Sequence, residues 1–169
     1  MGWGQGVRDM SEGMDKAAVY AAFLEHLEAE LAGAVAASRD AAAYATDEEA
    51  RTESKWDTQG LEASYLAAGQ AGQAREWMRA MEMVRSQRDV LVRPVTQAGP
   101  GALVQCAQAG ETDWYFFVPA AGGQELIVGD IRVTTLTFQT PLAAALRGKR
   151  AGESYVTGGG AGGEVLSVR

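Results

Sequence analysis

The sequence predicts an α+β protein in which an N-terminal antiparallel α-helical coiled-coil hairpin is followed by a small β-sheet domain with one short helix. Two observations carry that prediction. Residues 14–93 are rich in Ala, Glu, Arg, Leu and Met and hold no proline, whereas from Pro94 onward the chain turns to Gly, Val, Thr and aromatics, so helix formers give way to strand formers near residues 93–101. Apolar residues also recur at steps of four and three in the first part, and gather in short β-branched and aromatic runs in the second. Three segments result: a leader over 1–13, a hairpin over 14–93 and a β-rich domain over 94–169.

The leader is polar and glycine-rich, has no signal-peptide apolar run and reads as disordered, with Met10 and Met14 as alternative starts. Helix one carries a seam at Tyr20, Leu24, Leu27, Leu31, Ala34, Ser38, Ala41 and Ala45, the spacing of a coiled coil. A second seam runs through Trp56, Gly60, Ala63, Ala67, Gln70, Ala74, Trp77, Met81 and Val84. The short link between them, Thr46 to Ser54, makes the helices antiparallel neighbours. Small seam residues lie near the link and large ones at the far end, so the hairpin is expected to be held at its root.

Around the link, Asp47, Glu48, Glu49, Glu53 and Asp57 place five carboxylates within eleven residues. Thr46 with Glu49 three residues on has the form of a capping box. The same exposed carboxylates suit a hard cation such as Mg²⁺, which keeps most of its waters and needs one or two protein oxygens. Both readings are compatible.

In the second part, residues 102–106 and 113–118 predict two strands around a turn at 109–112. Trp114 and Phe116 alternate with Tyr115 and Phe117, so both faces of that strand are apolar and it is expected to be central. Further strands are expected at 125–128 and 131–138. Thr140 can cap, Pro141 suits the first helical position and Gly148 can end a short helix docked by Leu142 and Leu146. Ser154–Thr157 and Glu164–Val168 then form a closing hairpin. Its glycine-rich turn, Gly158–Gly163, has the letters of a dinucleotide fingerprint but lacks room for the helix such a site needs.

Composition excludes several chemistries. Cys106 and His26 are the only residues of their types, which rules out an intramolecular disulfide, a Cys₄ or Cys₂His₂ zinc site and any Ser-His-Asp triad without His26. Cys106 reads as a small buried hydrophobe, and His26 as a solvated or packed side chain. Residues 1–93 hold sixteen acids against ten Lys and Arg, the rest six against five, and the net charge is −7. Such a protein is poorly suited to sequence-independent DNA binding. No run of eighteen apolar residues exists, so the expectation is a cytoplasmic protein, monomeric, with a protein partner and no membrane.

The stretch Thr140 to Glu153 resembles the pattern Ser-Pro-Leu-Gly-x-Ala-Leu-x-Gly-Lys-x-x-Gly-Asp/Glu of the Gre family, the transcript-cleavage and transcription elongation factors that enter the secondary channel of bacterial RNA polymerase. Pro141, Leu142, Ala145, Leu146, Gly148, Lys149, Gly152 and Glu153 agree with it; Thr140 and Ala143 depart conservatively. With the hairpin, the resemblance covers nearly the whole chain after Met14. It implies an FKBP-like C-terminal domain that holds the channel rim and a hairpin that reaches the polymerase active centre, with nascent RNA touched only indirectly. In the family, an Asp and a Glu three residues apart at the tip help hold the second Mg²⁺ of the polymerase, which remains the catalyst. The family's Glu-Asn-Ala-Glu-Tyr run corresponds to Glu53-Ser54-Lys55-Trp56-Asp57, and the partner Asp falls on Ala50.

The resemblance therefore implies a polymerase-binding factor, not an enzyme by itself, with no intrinsic cofactor, which either stimulates cleavage of backtracked RNA or regulates transcription without cleavage. Its candidate Mg²⁺ ligands are Asp47, Glu48, Glu49 and Glu53, and its candidate polymerase contacts are Arg147, Lys149 and Arg150. The competing expectations are a prolyl isomerase or chaperone using the aromatics Trp114 to Phe117, and a self-associating coiled-coil adaptor.

Overall fold

The computed structural model describes residues 14–51 and 58–169, and the side chains of 48–60 are not described. The leader expected over 1–13 and the tip residues 52–57, Glu53 and Trp56 among them, lie outside the described residues. A long helical hairpin, α1 (Lys16–Arg51) and α2 (Thr58–Ser86), precedes a short helix α3 (Arg88–Val92) and a six-stranded sheet with one further helix. The α+β architecture expected from composition and periodicity is the one observed.

Helix α1 starts where its chemistry allows it to start. Asp15 precedes it, and the carboxylate accepts a hydrogen bond from the backbone N–H of Ala17 (3.0 Å), satisfying one of the donors a helix leaves unpaired at its beginning. The helix then continues for 36 residues, about 54 Å at 1.5 Å per residue. It passes through Thr46, which corrects the capping-box expectation: the Thr46 hydroxyl donates back to the carbonyl of Ala42 (3.0 Å) inside α1. A threonine followed by a glutamate three residues later has the same letters late in a helix as before one.

The described chain forms two compact units, Leu24–Ser86 and a second unit that joins the residues up to Phe23 to Gln87–Arg169. In the first unit the helices run antiparallel, since Glu28 accepts from Arg85 (2.7 Å) while the Ser38 hydroxyl donates to the Ala67 carbonyl (3.4 Å). The buried seam consists of Leu27, Ala34, Ala41 and Ala45 on α1 and Ala63, Ala74, Ala80 and Val84 on α2. Trp77 and Met81 are half-buried. Only Leu27 and Val84 are large and fully enclosed, and both lie at the root. There, burial of a large aliphatic side chain contributes about 1.5–3 kcal/mol.

The second unit is built on strands β1 (Leu103–Gln108), β2 (Glu111–Phe117), β3 (Glu125–Val128), β4 (Ile131–Leu136), β5 (Ser154–Val156) and β6 (Gly162–Val168), in the order β3-β4-β2-β1-β6-β5. β2 is central, as its two apolar faces predict, and pairs with β1 as the turn between them implies, but its other partner could not be read locally. It pairs antiparallel with β1 and parallel with β4, because the chain leaves β2 for the sheet edge, forms β3 and returns. The turn joining β1 to β2 is tighter than expected, two residues with Ala109 at φ 52° and Gly110 at φ 84°. Both lie in the left-handed region of a type I′ turn, where Asn-Gly is preferred. Ala109→Asn is expected to raise the unfolding free energy by about 1 kcal/mol, measured by urea denaturation.

Both faces of the sheet are covered. On one, Phe116 meets Phe23 of α1 edge-on, with ring centroids 6.4 Å apart. On the other, Phe117, Val104, Cys106, Leu136, Tyr155 and Val165 pack with Ala143 and Leu146 of helix α4 (Pro141–Leu146). Burial raises the Cys106 thiol from 9.0 to about 11, and Asp113 adds to the rise against a hydrogen bond from Tyr155.

The start of α1 is tied into this unit by two cations. The buried Lys16 ammonium donates to the carbonyl of Arg93, and the Arg169 guanidinium donates to the carbonyl of Met14 (3.3 Å) while lying 5.9 Å from the Trp114 ring. Burial, and then the positive charge of Arg93, lower the Lys16 pKa from 10.5 to about 8. Between those values the unfolded chain binds more protons than the folded one, so stability rises with pH through that window. Cys106 acts in the opposite sense from pH 9 upward, because its folded pKa is raised. Lys16→Met is therefore expected to remove a stability gain of up to roughly 1 kcal/mol between pH 8 and 9, read from urea midpoints at the two pH values.

Candidate functional site

Of the acidic residues singled out in the sequence, Asp47, Glu48 and Glu49 fall late in α1, not at the start of a helix. Asp47 is exposed on α1, one turn before the helix ends at Arg51. Glu48 and Glu49 follow it in the same helix, with side chains outside the description, and Glu53 lies outside the described residues altogether. In a helix that continues past Thr46, with the Thr46 hydroxyl bonded back to Ala42, these acids do not complete a capping box. Capping thus gives no reason for three successive acids here. Chemically, carboxylate oxygens suit Mg²⁺. Among the described residues no three His, Cys, Asp or Glu side chains converge on a common point.

The basic candidates surround the end of α4. Thr140 caps that helix by accepting from the Ala143 N–H (3.2 Å), Pro141 opens it, and Gly148 leaves it at φ 75°. The Arg147 guanidinium lies 5.5 Å from the centroid of Phe138, within cation–π range. Arg150 donates through its guanidinium to the Gln97 side chain (3.5 Å), and its backbone N–H donates to Glu153 (2.6 Å). Lys149 is half-buried, and its carbonyl accepts from the Ala98 N–H, while Gly148 N–H donates to the Ala98 carbonyl, both at 2.8 Å.

These bonds stitch the 97–100 loop to the end of α4 and leave an open cleft of 380 Å³ lined by Gln97, Ala98, Gly99, Pro100, Phe138, Arg147 and Gly148. Of the three basic residues, Arg147 alone lines it. Sequence reasoning missed Gln97 to Pro100, which carry no periodicity or charge and read only as a boundary. Asp47 belongs to one compact unit and Arg147, Lys149 and Arg150 to the other.

Other singled-out residues have structural partners. His26 lies 3.9 Å from Glu30, one turn on. Trp114, Phe116 and Phe117 are buried in the sheet, so they do not offer the open aromatic pocket a prolyl isomerase needs. The glycine-rich turn leads into β6, without a helix. Among the described residues no helix is long and apolar enough to cross a membrane.

No family model and no curated protein matches the chain. Among solved structures, the chain is similar to the crystal structure of GreA factor homolog 1 (Gfh1) of Thermus thermophilus, at 15% identity over 86% of this chain and 94% of that one, with a TM-score of 0.33. It is likewise similar to Thermus aquaticus Gfh1, at 19% identity over 86% and 92% with a TM-score of 0.33.

Proposed function

We propose that this protein binds bacterial RNA polymerase as a Gre-like factor, with the hairpin entering the secondary channel and the β-sheet domain engaging its rim through Arg147, Lys149 and Arg150. The observation that carries this reading is the run Asp47-Glu48-Glu49 late in a 36-residue helix, where it has no capping box to serve because Thr46 bonds back into the same helix. The Gre-like stretch at α4 supports it from the other unit: Thr140, Pro141 and Gly148 occupy the cap, first-turn and exit positions that a Ser-Pro-Leu…Gly-Lys pattern requires.

In this reading the protein is not an enzyme by itself. Its tip acids, Asp47, Glu48, Glu49 and Glu53, contribute oxygens and negative charge beside the metal of the polymerase. A Mg²⁺ bound there neutralises phosphate charge and lowers the pKa of a water. The factor then either stimulates cleavage of backtracked RNA or, by occupying the channel, regulates transcription without cleavage.

The test uses stalled, backtracked elongation complexes, with polymerase binding and RNA cleavage followed together. Binding is expected in both forms. Accelerated cleavage that drops about tenfold or more in one of Asp47→Ala, Glu48→Ala, Glu49→Ala or Glu53→Ala, about 1.4 kcal/mol of barrier, identifies a cleavage factor and its metal-holding acids. Binding without acceleration identifies the regulatory form, and no binding to polymerase removes the proposal.

A further inference from the structure

Among the described residues in the half of the hairpin nearest the segment that joins its helices, the ordinary distribution of side chains is inverted. The buried seam there is made of Ala34, Ala41, Ala45 and Ala63, while Tyr44, Leu61, Tyr65 and Leu66 stand 52%, 56%, 71% and 57% exposed. A hairpin that had only itself to stabilise would place the large apolar residues inside, where each contributes most. Here they face outward, so the surface they form suits an environment that is itself partly apolar.

Charge limits what that environment can be. Residues 24–86 carry twelve acids against six Lys and Arg. Asp40 and Asp47, both exposed, lie four residues before and three after Tyr44 on the same side of α1, and Glu62 lies three before Tyr65 on α2. A second copy of the hairpin would bring like charges together. A partner wall that presents Arg or Lys between apolar residues would instead meet carboxylates and tyrosine rings, the pairing favoured at protein interfaces.

We infer that Tyr44, Leu61, Tyr65 and Leu66 form a docking surface for a cationic, partly apolar protein wall that encloses this half of the hairpin. The inference rests on the polymerase reading, for which it names the side chains that grip the channel. These residues anchor the arm, while the tip acids serve the chemistry beyond it.

The experiment compares the full chain with a variant carrying Tyr44→Gln, Leu61→Gln, Tyr65→Gln and Leu66→Gln in a competition assay for RNA polymerase core enzyme, with far-UV circular dichroism confirming unchanged helix content. The variant is expected to bind at least about tenfold more weakly. Two single variants, Tyr44→Gln and Tyr65→Gln, carry the same test if the quadruple variant loses helix. Equal binding by variant and parent overturns the inference and leaves the polymerase reading standing. No binding by the parent overturns both. A parent that runs as a dimer at micromolar concentration, and as a monomer once substituted, also overturns it, because the occupant is then a second copy of the chain.

Discussion

Gly101→Ala is expected to cost about 4 kcal/mol of stability, while Gly110→Ala costs about 1–2. Both glycines hold a left-handed backbone, at φ 76° and 84°, so both substitutions incur the strain of placing an L side chain there. They differ in what a new methyl group meets. At Gly110 nothing lies within 4 Å, whereas at Gly101 an added Cβ would sit 2.2 Å from the carbonyl oxygen of Val90 and 3.1 Å from the Cα of Leu91. Those atoms belong to the backbone of α3, which cannot swing aside as a side chain can. Forcing them apart adds an overpacking term of about 1–3 kcal/mol, and it displaces the buried Leu91. Against a total of about 5–15 kcal/mol for a folded domain, the Gly101 variant is expected to lose a large share of its stability. Urea unfolding of the two variants side by side checks this, and equal midpoints would show that the close approach of α3 to Gly101 carries no cost.

The second large effect lies where α1 meets the sheet. Phe23 and Phe116 are both fully buried and stand edge to face, at an interplanar angle of 85°. Phe116→Ala removes the ring near the end of β2 and is expected to cost about 3–5 kcal/mol through lost transfer energy and the cavity left behind. Phe23→Ala belongs to the same range. The double variant should cost less than the two singles together by about 0.5–1.5 kcal/mol, the worth of the ring pair beyond burial. Thermal unfolding of the four proteins closes the cycle. Strict additivity would mean that the two rings are buried independently and that their contact contributes nothing.

Much of this arrangement was legible in the residues, and the rest failed for physical reasons. The alternation of Trp114 and Phe116 with Tyr115 and Phe117 placed β2 at the centre, because a strand with two apolar faces needs cover on both. Thr140, Pro141 and Gly148 located α4, because caps act within one turn. Long-range pairing was not legible: nothing in Ile131–Leu136 says that it lies parallel to β2 instead of following β3 outward. Nor did the helical period of α1 change at Phe23, although the residues up to that point belong with the sheet. Thr46 misled because its hydroxyl can accept from a helix beginning or donate into one already formed. For the candidate site, the acids and the basic residues are a reading from the sequence and the family resemblance. The sequence was silent on Gln97 to Pro100, whose role depends on hydrogen bonds to Lys149 and Gly148 fifty residues away.

The division of the chain bears on the order in which it folds. The sheet-bearing unit is interrupted by 63 residues, Leu24 to Ser86, and Arg169 must reach back to Met14. A flexible loop of that length would cost about 3.7 kcal/mol to close, plus a constant, before any contact across it could form. The hairpin removes most of that cost, since once its helices have met, Glu28 and Arg85 lie 2.7 Å apart and the two flanking segments emerge side by side. Local helix contacts form in microseconds, while strand pairing between distant segments takes far longer. The hairpin is thus expected to assemble first, with docking of the first turns of α1 onto the sheet waiting for β6, the last of these six strands in chain order. Folding of this chain should show a fast helical phase and a slower one in which Phe23 becomes buried, with Leu27 and Val84 at the hairpin root affecting the rate of both.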